Sequence, residues 1–217
     1  MDTTRWERFA PLTGFVAVVL FVIGVVIEES GASRPDDGDP AALLAWFRDD
    51  TDTIIGAEFL FALGAILLIW FFGSLRSTFR GAEGGSGRVS AIAFGGGLLA
   101  SAGLLMSAAP VLQGAISEDD LVPESAQTLT LLSDAFFGVT EFALVPMFVA
   151  AALVTLRTGV LPVWLGWVSL AIAVLLLILP VGWAGVVFAF PLWTLVVSVL
   201  LFRKGAASAG AATAPAP

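Results

Sequence analysis

The chain has no cysteine, no histidine and no tyrosine among its 217 residues. Without cysteine there is neither a disulfide nor a thiolate nucleophile. Without histidine, every metal site or acid–base scheme built on imidazole is excluded. Carboxylates are then the side chains left to shuttle protons near neutral pH, and only where their surroundings perturb them strongly. Charge is scarce too: 13% of residues are charged, against 58% hydrophobic, and the mean hydropathy is +0.97. A water-soluble domain of this size needs far more polar surface, so the composition points to an integral membrane protein with the lipid bilayer as its partner. No cofactor, metal site or nucleic-acid partner is expected.

A spanning helix takes about 20 mainly apolar residues. Six segments qualify, roughly 10–28, 53–75, 89–112, 126–156, 160–179 and 183–202. The expected fold is all-α: a six-helix transmembrane bundle forming one domain over residues 1–204, with a disordered cytoplasmic tail over 205–217. The first segment is read as an uncleaved anchor, because its apolar run is long and the exit VVIEESGAS offers no small-x-small cleavage site. The fourth is too long for one straight span. A tight turn through Pro180, Gly182 and Trp183 should join the last two.

Basic residues set the orientation. Arg5, Arg8, Arg76, Arg80, Arg88, Arg157, Arg203 and Lys204 all fall on one side, eight of the ten cations. Arg34 and Arg48 fall on the other, with Glu28, Glu29, Asp36, Asp37, Asp39, Asp49, Asp50, Asp52, Glu118, Asp119, Asp120 and Glu124. Both termini are therefore expected in the cytoplasm. Tryptophan favours the headgroup layer; Trp6, Trp70, Trp164 and Trp167 fall at predicted inner ends, Trp46 and Trp183 at outer ones, and Trp193 in mid-helix.

Between the first two spans, DPAALLAWFRDD reads as a short helix outside the membrane. Asp39 is suited to cap it and Pro40 to open it. Leu43, Leu44, Trp46 and Phe47 form its apolar face. Such a helix lies on the outer leaflet or across the bundle mouth, or acts as a lid over a cavity. The loop RGAEGGSGR is expected to be flexible, and DDGD lacks the spacing of a calcium loop.

Two acids sit inside apolar segments. Measured from Arg76 and Arg157 at 1.5 Å per residue, Glu58 lies about 27 Å away and Glu141 about 24 Å. In a hydrocarbon layer about 30 Å thick, both are near its outer edge. Asp134 comes out at about 35 Å, so the fourth segment must project beyond the bilayer or break. Thr130, Asp134, Gly138 and Glu141 share a helix face, which with Glu58 can line an outward-facing vestibule for a cation or proton, Arg48 supplying the counter-charge. The alternative role for the glutamates is interhelical hydrogen bonding and anchoring at the interface.

Ala93, Gly97 and Ser101, with Gly96 and Ala100 beside them, form a small-residue face suited to close helix packing. Pro146 and Pro191 should kink their helices. Interruptions at Gly95–Gly97 and Pro191 occupy comparable places in the two halves of the chain, as in inverted repeats. The Glu-Phe…Leu-Arg similarity of segments two and four, which run in the same direction, does not support one.

A surface helix after span one, a span closing in LRSTFR, and a long fourth span followed by RTGVLPVWLGWVSLAIAVLLLI together resemble a bacterial family of six-helix membrane proteins. It is the family called domain of unknown function 4386, and the likeness centres on Gly159 to Gly166, Gly-x-Leu-Pro-x-x-Leu-Gly. The resemblance implies a bacterial inner-membrane protein and brings no activity, cofactor or site. Three classes of function remain. One is a structural or regulatory bundle that packs with a membrane partner or a second copy. Another is a small transporter, channel or binding protein for apolar ligands near Phe136, Phe137 and Phe142. The last is an intramembrane enzyme using Asp134 and Glu141, which lacks an accompanying Gly-x-Gly-Asp signature; no catalytic residue is assigned.

Overall fold

A computed structural model describes residues 9–35, 38–178 and 181–212, the side chains of 205–212 excepted. All regular structure among the described residues is helical. The helices are α1 (Leu12–Gly31), α2 (Pro40–Asp49), α3 (Thr51–Glu83), α4 (Arg88–Ile116), α5 (Pro123–Thr158), α6 (Val163–Leu175) and α7 (Phe190–Ala212). A helical turn, Gly182–Ala184, and a π-helix, Gly185–Ala189, lead into α7.

Local chemistry accounts for several of the ends. Asp39 accepts a hydrogen bond from the Ala42 amide at 3.1 Å, and Pro40 occupies the first turn of α2, where its missing N–H costs nothing. The Glu83 carboxylate reaches across the glycine loop to accept from the amides of Val89, 2.9 Å, and Ser90, 2.8 Å. The last residue of α3 thus caps the start of α4. Gly159 ends α5 with φ of 65°, a left-handed conformation that glycine adopts without strain.

Five segments are long and apolar enough to cross a membrane: α1, α3, α4, α5 and the stretch Gly182–Lys204. The expected span at 160–179 instead contributes α6, of 13 residues or about 20 Å. Past it the amides of Val181 and Gly182 both donate to the Ile178 carbonyl at 2.9 Å; the expected turn through Pro180 falls partly outside the described residues. At 36 residues α5 does not break, although it contains Pro146. Gly95–Gly97 does not interrupt α4, so the paired interruption expected of an inverted repeat is missing. Only Pro191 coincides with irregular winding, the π-helix just before it. The tail expected to be disordered over 205–217 continues α7 as far as Ala212; residues 213–217 lie outside the described part.

Phe71, Phe72, Met147, Phe148, Phe190 and Trp193 form the main core. Trp193 is seated there because its indole N–H donates to Ser169 Oγ at 2.9 Å, and that hydroxyl donates to the Leu165 carbonyl at 2.7 Å. Ala93, Gly96, Gly97, Ala100 and Ser101 are all buried. The space beside Gly97 is filled by the Phe72 ring, and that beside Gly96 by the backbone of Ala143 and Met147. A second core joins Leu43, Trp46 and Phe47 of α2 to Ile54, Val111, Ala115 and Ala126. The apolar face of α2 is therefore spent on the helix ends of this chain. The exterior, by contrast, is rich in apolar side chains such as Phe59, Trp70, Leu99 and Leu192, as expected of a protein bathed in hydrocarbon.

Candidate functional site

A cavity of about 190 Å³ lies where α1, α3, α4 and α5 meet beside α2. Gly24 on α1 permits the close approach of α3: a side chain there would meet the Ala57 carbonyl oxygen at 3.1 Å. Helical spacing then turns Glu28, four residues on from Gly24, and Glu58, three before Phe61, toward the same space. From α5 come Ser133, Asp134 and Phe137; from α4 Ser107; and from α2 Trp46. The Trp46 indole N–H donates to the Ala32 carbonyl at 2.7 Å. That bond ties α2 to the end of α1 and holds the ring against the cavity.

Arg34 sits in the loop after α1. Its guanidinium grips Asp134 with both terminal nitrogens, at 2.9 and 3.3 Å. This bidentate pair is exposed, 38% and 52% for the two side chains, and its paired geometry ties the loop to α5. Gln127 adds a second tie, donating to the Gly38 carbonyl at 3.0 Å. Three carboxylates and one guanidinium line the cavity, and the guanidinium is engaged by Asp134. Among the described residues, Glu28 and Glu58 make no hydrogen bond or ion pair of their own.

The expected vestibule is thus assembled in part. Glu58 and Asp134 come together. Glu141 does not join them: it is seven residues, or about 10 Å, farther along α5 than Asp134, so a shared face does not bring the two to one level. It is 8% exposed and lies against Gly182, with its Oε1 lacking a hydrogen-bond partner. Arg48 is not the counter-charge either. Its guanidinium turns to the carbonyls of Glu118 and Leu121, at 3.3 and 3.5 Å, and Arg34 takes the role. Of the three phenylalanines near an apolar entry, Phe137 lines the cavity while Phe142 is on the exterior. Sequence reasoning missed Glu28 and Arg34 by counting them among solvated outer charges. The signal was Gly24, one helical turn before Glu28, marking a face where α1 packs closely.

Comparisons with protein families, curated proteins and solved structures find no match. The chemistry of the site rests on its own residues. Among those described, no three acids are grouped to hold a metal ion. Two carboxylates with no hydrogen bond of their own, near the Arg34 guanidinium and beside the rings of Phe21, Phe61 and Phe137, leave an acidic excess suited to a positively charged ligand with an apolar part.

Proposed function

We propose that the chain is a six-span bacterial inner-membrane protein, both termini cytoplasmic, which binds a small organic cation in an extracytoplasmic vestibule. α6, continued by Leu176–Ile178, makes the fifth crossing. The observation that carries this reading is the cavity with Glu28 and Glu58 in its wall and aromatic rings around them. Its volume is below the about 300 Å³ at which pockets for drug-sized ligands begin, which fits a ligand of a few heavy atoms. Below it only a cleft of about 20 Å³ continues between Phe21, Phe61, Leu68 and Phe190, and Phe71, Phe72, Phe148 and Trp193, each 2% exposed or less, fill the core beside it. Binding and release from the outer side is the function this supports, rather than conduction or catalysis. The small-residue face expected to serve close helix packing is covered from within by Phe72 and α5.

Thermal unfolding of the purified protein tests the assignment. n-Butylammonium should raise the melting temperature and butyrate should not. Glu28→Gln and Glu58→Gln should each weaken the shift, and the double variant should abolish it. An equal response to butyrate, or a full response from the double variant, would sink the assignment.

A further inference from the structure

A second concave surface lies at the opposite end of α3. Gly73, Arg76, Ser77 and Arg80 of α3 and Phe94 of α4 surround an open groove of about 330 Å³. The Arg76 guanidinium rests over the Phe94 ring, 5.1 Å from its centroid. That contact holds the cation against α4 while leaving the N–H donors at its edge free to point outward. Arg80, one turn on, reaches the same groove, its side chain lying against Gly87 and its guanidinium donating to the Gly84 carbonyl at 3.4 Å.

No carboxylate lines this groove. The nearest acid in sequence, Glu83, is engaged with the amides of Val89 and Ser90. Those two backbone hydrogen bonds, Ser90 first, hold its pKa below the ordinary value of 4.5. The lining therefore holds two cations and no acid; Glu83 acts on Arg80 from beside the groove, and Arg76 faces no acid in the lining. Going back along the same face of α3, Gly73 has nothing within 4 Å of where a side chain would start. Trp70 and Ile66 follow, 67% and 45% exposed. Within about four turns the face runs from two cations, past a hydroxyl and a bare stretch of backbone, to an apolar track.

We propose that this groove is a binding site for an anionic phospholipid. The phosphodiester sits between Arg76 and Arg80 with Ser77 as a further donor, and an acyl chain runs past Gly73 along Trp70 and Ile66. An anion that is polar at one end and greasy at the other matches the order of the residues, and a guanidinium pair matches the geometry of phosphate oxygens. The site rests on the membrane orientation and not on the vestibule, so each stands or falls without the other.

Native mass spectrometry from detergent containing phosphatidylglycerol or phosphatidylcholine reads it directly. The wild-type chain should retain one phosphatidylglycerol in preference to phosphatidylcholine. Arg76→Gln with Arg80→Gln should weaken that retention about thirtyfold. Gly73→Leu, which keeps both cations and blocks the track, should also reduce it. Arg157→Gln with Arg203→Gln, exposed cations outside the groove, should leave it intact, and inorganic phosphate should not compete. Equal loss from the Arg157 and Arg203 pair would mean diffuse attraction to the inner leaflet, and competition by phosphate a simple anion site. Either result, or undiminished retention by the Arg76 and Arg80 pair, overturns the proposal.

Discussion

Gly95, Gly96 and Gly97 are adjacent in sequence and have three different surroundings. A methyl group on Gly95 meets nothing within 4 Å, one on Gly96 meets the backbone of α5 at 2.9 Å, and one on Gly97 meets the Phe72 ring at 2.5 Å. Gly96→Ala should therefore destabilise the protein by about 1–3 kcal/mol, since α5 must retreat. Gly95→Ala should be neutral or stabilising by up to about 1 kcal/mol. Thermal unfolding of the two variants in one detergent checks the contrast. A sharper case is Gly182, where an added methyl would fall on Glu141 Oε1. Gly182→Ala should cost about 1–3 kcal/mol, and Glu141→Ala should relieve most of that cost in the double variant. Additive losses would show that the carboxylate does not depend on the bare backbone at Gly182. From the sequence, the glycine triplet looked like a break and Glu141 like a member of the vestibule. Composition and spacing do not say which neighbour fills the space beside a glycine, and that decided both.

Among the elements, α2 was the most legible and α6 the least. Asp39, Pro40 and the spacing of Leu43, Trp46 and Phe47 marked α2 and its apolar face, because caps and amphipathicity are local. Where that face would go was not local: it depends on Val111, Ala115 and Ala126, which approach only in the fold. The end of α6 was not legible from hydropathy, because the apolar run continues past the point where the helix stops at Leu175. The junction of α3 and α4 makes a pH-dependent prediction. Glu83 has its pKa lowered by hydrogen bonds to Ser90 and Val89. Its contribution is therefore fully present above about 4.5 and fades as the pH falls through the lowered value. Melting curves from pH 7 to pH 3 should show Glu83→Gln less stable than wild type at neutral pH, with the gap closing in acid. A constant gap would mean that the carboxylate charge is not what holds the junction.

For the molecule as a whole, charge asymmetry and hydropathy predicted a helical bundle, and five of its helices are long and apolar enough to cross a membrane. Threading and depth follow from the bilayer and not from contacts within the chain. The absence of cysteine makes them simple to measure, because any introduced thiol is unique. In expressing cells an impermeant maleimide should label Asp119→Cys and Val181→Cys from outside. Ser86→Cys and Thr158→Cys should need permeabilised cells. Labelling of Val181→Cys only after permeabilisation would remove the fifth crossing.

The unbroken length of α5 governs how the vestibule meets its surroundings. Thirty-six residues make a rod of about 54 Å, against about 30 Å of hydrocarbon. On the proposed threading the surplus stands clear of the oily layer like a mast, and Ala126 near its tip is one of the points on which α2 leans. A mouth at that end then faces water, and the small cation proposed for it would arrive dissolved instead of by sliding in from among the lipids.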